Sequence, residues 1–301
     1  MNTQEAGKIG GSAKTEKKQI SSAKNGALGG RPIAAININD DGYSIKSCKH
    51  IYAPAGKALE YADLATNPYT GCGNQCVYCY VPNILRMKRP DFDSLALPRV
   101  GYIESLTRDA KKYKSVSCDK QIMFSFTTDP YHPFDTQLTR EAIEVLIDNN
   151  LAFCALTKGG ARALRDIDLY RPNRDCFAST LTSFDDSFSK KYERGAAVAS
   201  ERIATLKKFN ESGVFTWVSI EPTLSVIEAK KIITETNGFV NHYKIGKANY
   251  IKMKDEINWE QYTIEIVDLC LKLGVSFYIK KDLQEYIPTS LCNPMRIKQH
   301  F

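Results

Sequence analysis

Cys72, Cys76 and Cys79 lie in the run Asn67-Pro-Tyr-Thr-Gly-Cys-Gly-Asn-Gln-Cys-Val-Tyr-Cys-Tyr80, a Cys-x3-Cys-x2-Cys spacing with an aromatic residue, Tyr78, just before the last cysteine. Three thiolates on one short loop can hold three corners of a cubane [4Fe–4S] cluster. The fourth iron is then left without a protein ligand and open to chemistry. The competing ligand chemistry is zinc, which in structural sites takes four ligands, usually as two paired knuckles. This chain has no second Cys-x2-Cys, and the nearest histidines, His50 and His132, are not at knuckle spacing. Pro68 and Gly71 favour a turn that lifts the cysteine loop clear of a preceding strand.

The elements that must position this loop follow a regular alternation. Apolar runs rich in β-branched and aromatic residues occur at Gln121–Phe126, Ala152–Leu156, Cys176–Leu181, Val214–Ile220, Tyr243–Gly246 and Val275–Ile279, and Ala62–Asn67 is expected as the strand before them. Helix-period stretches fall between most of them, at Thr139–Asn149, Ala161–Tyr170, Ala199–Ser212, Val226–Thr236 and Trp259–Leu273. Gly213 and Gly274 each close an amphipathic run just before the next strand. Strand–helix alternation of this kind implies a parallel sheet with right-handed crossovers. Six units and a seventh strand predict an α/β protein, a partial TIM-type (β/α)6 barrel over residues 62–285. Its chemistry should gather at the carboxyl ends of the strands, with the cysteine loop after the first.

Polar residues do follow the runs in order: Thr127, Thr128 and Asp129, then Thr157 and Lys158, Thr182 and Ser183, Glu221 and Pro222, and Lys247. Loop ends are polar in any protein, but an ordered series along one barrel rim is more specific than any member of it.

Outside the barrel, residues 1–35 carry Lys8, Lys14, Lys17, Lys18, Lys24 and Arg31 against Glu5 and Glu16, so 6 − 2 gives +4 of the total +7. This segment is rich in Gly, Ser, Ala and Lys and too poor in large apolar groups to offset its ordering entropy, so it is expected to be a disordered basic tail. It suits an acidic partner such as nucleic acid, or serves only as a solubilising leader. Gly30-Arg31-Pro32 matches the core of a minor-groove AT-hook. Residues 36–61 are expected as an extension packing on the barrel, and 286–301 as a C-terminal segment. An odd cysteine count, thinly spread, fits a reducing compartment. No run approaches the roughly eighteen apolar residues that cross a bilayer, so the expectation is a cytoplasmic protein with no membrane partner. Cys154 and Cys176 read as small core residues; an auxiliary cluster from the other cysteines lacks tight spacing.

The cysteine run, with Thr127-Thr-Asp-Pro-Tyr-His-Pro133, Leu138-Thr-Arg140, Thr157-Lys158 and Arg165-Asp166, resembles the radical SAM family related to spore photoproduct lyase, the DNA repair photolyase-like proteins. The resemblance runs from about residue 62 to 225. It implies a radical SAM barrel, with S-adenosylmethionine (SAM) on the open iron of a [4Fe–4S] cluster held by Cys72, Cys76 and Cys79. It also implies that Tyr78 lies against the adenine, Lys158 binds the SAM carboxylate and Thr127 contacts SAM through its hydroxyl. With Thr128 they form the expected cofactor-binding set, joined by Asp129 and Glu221, which could orient the SAM amino group or ribose or bind substrate. Chemically the implied pairings are sensible, a cation for a carboxylate and a hydroxyl for a polar edge.

One departure bears on activity. The lyases carry, just before this Thr-Thr-Asp segment, a cysteine that returns a hydrogen atom to the product radical; here the position is Phe126. Thymine-dimer reversal is therefore not carried over, and the catalytic residues stay unassigned. The resemblance implies that an electron from a donor such as flavodoxin or ferredoxin cleaves SAM to a 5′-deoxyadenosyl radical, which takes hydrogen from a substrate. Nucleic acid leads as the substrate, in DNA repair or modification. A peptide or small molecule is the rival, and a nucleic-acid-binding iron–sulfur redox sensor without turnover is the alternative of another class.

Overall fold

The computed structural model describes residues 50–287 apart from 116–118, 125, 250 and 252–256. All of these lie within one compact unit, Lys49–Phe301. The basic tail, the AT-hook tripeptide, Cys48, Cys118 and Cys292 fall outside the described residues, as does the C-terminal segment beyond 287.

Seven strands form one parallel sheet: β1 (Leu64–Thr66), β4 (Ile122–Phe124), β5 (Phe153–Thr157), β6 (Cys176–Thr180), β7 (Phe215–Ile220), β8 (His242–Ile245) and β9 (Phe277–Ile279), side by side in that order. Two further three-residue strands, β2 (Tyr69–Gly71) and β3 (Ala96–Pro98), pair antiparallel beside it. Helices α1 (Val81–Leu85), α2 (Arg89–Ser94) and α3 (Tyr102–Ser115) precede β4, and α4 (Gln137–Asp148) follows it. After β6 come α5 (Asp186–Tyr192) and α6 (Ala199–Glu211), then α7 (Val226–Thr236) after β7, α8 (Trp259–Leu273) after β8 and α9 (Lys281–Gln284) after β9.

Strands β4, β5 and β6 are buried at every residue, as expected for parallel strands covered on both faces. The period of two then sorts their side chains. Phe124, Phe153, Ala155, Phe177 and Val218 point to the helix layer, where Phe177 stacks on Phe209 of α6 at 3.8 Å between ring centroids. Met123, Cys154, Leu156, Cys176, Ala178 and Trp217 form the opposite cluster inside the barrel, with Trp217 Nε1 donating to Cys154 Sγ at 3.3 Å. Asp185, Ser225 and Asn258 cap α5, α7 and α8 by accepting a backbone N–H three residues on. Gly274 takes φ +65° at the end of α8, a left-handed conformation that glycine adopts without strain.

The barrel does not close by pairing β1 to β9. Residues 50–61 fill that side instead. Tyr52 exchanges two backbone hydrogen bonds with Ala65 of β1, at 3.0 and 2.8 Å. Glu60 Oε2 accepts from Tyr278 Oη (3.0 Å) and Lys281 N (2.7 Å), and Lys244 Nζ donates to the carbonyls of Glu60 (3.2 Å) and Tyr61 (3.0 Å). The stretch expected as an α-helix at Ala161–Tyr170 is a 3-10 helix over Gly160–Leu169. Its buried residues, Gly160, Ala163 and Asp166, are spaced by three, the repeat of that tighter helix.

Candidate active site

A cavity of about 420 Å³ opens at the carboxyl ends of the strands, and all three cysteines line it. Tyr78, Thr127, Thr128, Asp129, Lys158 and Glu221 line the same cavity, so every site residue expected from sequence is brought to one place. Thr182 and Ser183, although at a strand end, do not reach its wall.

The cysteine loop is held from three sides. From α2, the Arg89 guanidinium donates to the carbonyls of Cys76 (2.7 Å) and Cys79 (3.4 Å). From the α5–α6 connection, Val77 N donates to Tyr192 O (2.9 Å), and Gly195 N donates to Asn74 O (3.0 Å). From the end of β4, Asp129 Oδ2 accepts from Asn74 Nδ2 at 2.7 Å. Asp129 also accepts from Lys158 N, Tyr131 N and Thr157 Oγ1, at 2.7, 2.8 and 2.5 Å. Its carboxylate thus joins the cysteine loop to the tip of β5.

Tyr78 is fixed by a buried chain of charges. Its hydroxyl donates to Glu193, which is paired with Arg202. Arg202 also donates to Thr180 O (2.8 Å) and Ala197 O (2.7 Å), so this sealed ion pair has its remaining donors occupied. Burial alone would raise the Glu193 carboxyl, but Arg202 and Lys158 outweigh it and hold the group below its ordinary value. Burial alone would lower Lys158, but Cys76, Glu193 and Asp129 outweigh it, and the ammonium stays charged. Lys158 Nζ lies 5.7 Å from the Tyr78 ring centre. Thr127 accepts from Arg99 Nη2 at 3.3 Å, and its N–H donates to Asn67 Oδ1 at 2.9 Å. The Thr128 hydroxyl donates to Gly71 O at 2.7 Å.

The opposite wall comes from β7–β9 and the segment before β1. Glu221 accepts from Tyr61 Oη and from Lys280 Nζ, each at 2.5 Å. Burial and the Glu221 charge push the Tyr61 phenol well above its ordinary value. Phe126 lines the cavity with φ +91°, a conformation that costs a non-glycine residue strain, and its ring centre is 6.0 Å from that of Tyr61. Tyr61, Lys280, Glu193 and Arg202 were not singled out in the sequence. Lys280 directly follows the last apolar run, so the strand-end rule would have found it. Arg202 stands at a core-facing position of α6, in register with the buried Thr205, Leu206 and Phe209, where a charge is unusual.

The donor set fits an iron–sulfur cube. Structural zinc takes four ligands, whereas the cavity gathers three thiols from one short loop. A cube binds each thiolate at a separate iron and needs them apart. Burial pushes the three thiols up, Cys76 to about 12, so assembly must displace protons from them. The other described cysteines lie elsewhere: Cys154 and Cys176 inside the barrel, Cys270 in the helix-side core.

Comparison with known proteins agrees. The family model of the radical SAM superfamily matches residues 66–225, more than half of the chain. Uncharacterized protein ORF301 of Acidianus two-tailed virus is 25% identical over 206 residues, covering 64% of this chain and 66%, just under two thirds, of that protein. Among solved structures, a spore photoproduct lyase variant with bound AdoMet and dinucleoside spore photoproduct superposes with a TM-score of 0.61 at 12% identity, over 87% of this chain and 94% of that one. Streptococcus suis SuiB bound to S-adenosylmethionine gives 0.56 at 12% identity, over 74% and 52%. At such identities the likeness is one of fold. It is the family match, laid over the cysteine loop and the strand ends facing it, that places the chain: this protein belongs to the radical SAM superfamily.

Proposed function

We propose that the protein is a radical SAM enzyme acting on nucleic acid, in repair or modification. The observation that carries the enzyme reading is the single cavity onto which Cys72, Cys76, Cys79 and the six expected cofactor-binding residues all open. When bound, a reduced [4Fe–4S] cluster supplies the electron that cleaves SAM to methionine and a 5′-deoxyadenosyl radical. The three cysteines hold the cluster, Lys158 offers its ammonium to the SAM carboxylate, and Tyr78, pinned through Glu193, offers a fixed ring face to the adenine. Thr127 and Thr128 contribute hydroxyls on the β4 side. Asp129, its oxygens already taken by four donors, acts by holding the loop. Glu221, with Tyr61 and Lys280, forms the facing wall where ribose or substrate is held.

Nucleic acid is supported by the net charge of +7. The cavity wall adds to this, with Lys57, Lys158, Lys247 and Lys280 against Asp129 and Glu221. Spore photoproduct lyase, whose fold this chain shares, was solved with a dinucleoside photoproduct. A peptide is the second reading, favoured by the fold shared with SuiB bound to its precursor peptide SuiA, at a TM-score of 0.52, 13% identity and coverage of 94% and 65%. Phe126 at the wall offers no transferable hydrogen atom, which keeps dimer reversal by the lyase route out of the proposal.

The test is anaerobic reconstitution followed by SAM cleavage with damaged DNA, RNA and a peptide pool in separate arms. Stimulation of 5′-deoxyadenosine release by a nucleic-acid arm supports the proposal, and stimulation by peptide alone replaces its substrate. A reduced cluster that cleaves no SAM in any arm overturns the enzyme reading and leaves the redox sensor.

A further inference from the structure

The barrel interior holds a row of sulfur atoms that the active site does not use. Met123 of β4, Cys154 of β5 and Cys176 of β6 are neighbours in the strand register, Met123 beside Cys154 and Cys154 beside Cys176. All three belong to the cluster on the inner face of the sheet, together with Trp217. We propose that Cys154 and Cys176, with Met123 beside them, form a binding site for a soft monovalent metal ion, Cu(I).

Three observations carry it. First, the spacing suits a bridging atom better than a direct bond. Neighbouring strands run about 4.8 Å apart, and side chains in register on one face start out at that separation. A disulfide brings its β-carbons to about 3.8 Å, so oxidation would have to draw two central strands together. One metal between two sulfurs, at bonds of about 2.3 Å each, spans the gap with the backbone where it is.

Second, both thiol sulfurs already act as acceptors. Trp217 Nε1 donates to Cys154 Sγ at 3.3 Å. Gln121 Nε2 donates to Cys176 Sγ at 3.0 Å and is anchored on Arg174 O at 2.9 Å. Donors of this kind aim a sulfur and favour its anionic, ligating form, as the groups behind metal ligands do. Third, there is a way in. A cavity of about 250 Å³ opens at the amino ends of the strands, lined by Met123, Cys154, Gln121 and Trp217. Of its lining residues, Tyr61 alone also lines the active-site cavity at the other end of the barrel.

The donor set selects the ion. Thiolate and thioether sulfurs suit Cu(I), which is satisfied by two or three of them, whereas structural zinc takes four ligands. On binding, two S–H bonds break, two S–Cu bonds form and two protons leave; copper stays monovalent and nothing is oxidised. The bis-thiolate complex carries one negative charge. Lys244, buried on the same inner face with Nζ 5.0 Å from the Trp217 ring centre, offers the counter-charge.

Trp217 gives the experiment a local reporter. The chain has two tryptophans, so Trp259→Phe leaves Trp217 as the single indole emitter. The full-length chain with this change, and with Cys72→Ala, Cys76→Ala and Cys79→Ala to keep copper off the cluster loop, is titrated anaerobically with Cu(I) against the chelator bathocuproine disulfonate. One equivalent is expected to quench Trp217, and X-ray absorption should show copper surrounded by sulfur alone. Cys154→Val, close to cysteine in size, should abolish the quenching, and Gln121→Leu should weaken copper binding about 10–100-fold. An unquenched Trp217 in the parent chain, or equal quenching in Cys154→Val, overturns the site, as does tighter binding of Zn(II) than of Cu(I). Should Cys154→Val fail to fold, Cys176→Ala carries the same comparison. The loop cysteines take no part, so this outcome is separate from that of the proposed function.

Discussion

Asp129 and Asn74 join the cysteine loop to the barrel through one hydrogen bond of 2.7 Å, from the Asn74 amide to the same carboxylate oxygen that receives the Lys158 N–H. Cofactor loop and β5 tip are therefore positioned by one buried acceptor. Asp129→Ala leaves four donors without their partner, each costing about 1–3 kcal/mol when buried and unmet. The variant should melt well below wild type and bind much less iron after reconstitution. Asp129→Asn, which keeps the shape but turns part of the acceptor into a donor, should fold better and still lose iron. A full iron complement in the asparagine variant would show that the bond does not position the loop.

The Arg202–Glu193 pair makes a second demand, because both side chains are at most 1% exposed. Breaking a buried pair by removing one partner costs about 3–5 kcal/mol, since the other charge is stranded. Arg202→Met should therefore lower the urea midpoint strongly, and Glu193→Gln less, because a glutamine oxygen can still accept from Tyr78. Combining Arg202→Met with Glu193→Leu should recover part of the loss. With Glu193→Leu alone as the matching single variant, simple addition of its effect to that of Arg202→Met would argue against direct coupling.

Much of this architecture was legible in the chain because buried parallel strands are short continuous apolar runs. The helices Val226–Thr236 and Trp259–Leu273 coincide with the expected spans. The helix Tyr102–Ser115 was missed although Tyr102, Leu106 and Ala110 recur every four residues, because Ser105 and Asp109 share its buried face and leave the apolar stripe narrow. Asp109 faces inward to accept from the backbone of His50 (2.7 Å) and Ile51 (3.2 Å), a use invisible to periodicity. The β2–β3 pair has three-residue strands far apart in sequence, too short to carry a pattern. In the site, residues just after strands were found because the barrel rule names them. Tyr61 precedes the first strand and Glu193 sits in a helix–helix connection, so only tertiary packing brings Tyr61 to the cavity wall and Glu193 behind Tyr78.

Lys244 supplies a pH prediction. It is fully buried inside the barrel, and burial lowers its ammonium from the ordinary 10.5 to about 7, with Lys280 adding to the shift. Between these values the unfolded chain holds a proton that the folded chain has released, so stability rises with pH across this window. Below about 7 the cost of charging the buried amine is present in full; above 10.5 it vanishes. Lys244→Met removes this contribution, and the difference between wild-type and variant unfolding free energies isolates it from the buried tyrosines and cysteines. That difference should change steadily from pH 7 to pH 10 in favour of wild type. A flat difference would mean that Lys244 titrates normally in the fold.

Gly195 tests the contact that seats the cysteine loop with the smallest change available. A Cβ there would fall 1.8 Å from the carbonyl oxygen of Gly73 and 3.2 Å from the carbonyl carbon of Asn74, both backbone atoms that no side-chain rotation can clear. Relief requires the α5–α6 connection and the cysteine loop to separate, which breaks the Gly195 N–Asn74 O bond and loosens the bridge between Cys76 and Glu193. The barrel core is untouched by this shift, so Gly195→Ala should unfold as cooperatively as wild type while taking up markedly less iron and sulfide. Gly238→Ala is the matched control, since a Cβ there meets nothing within 4 Å, and it should load as wild type does. Equal iron content in the two alanine variants would mean that the loop finds its cluster-binding geometry without this backbone contact.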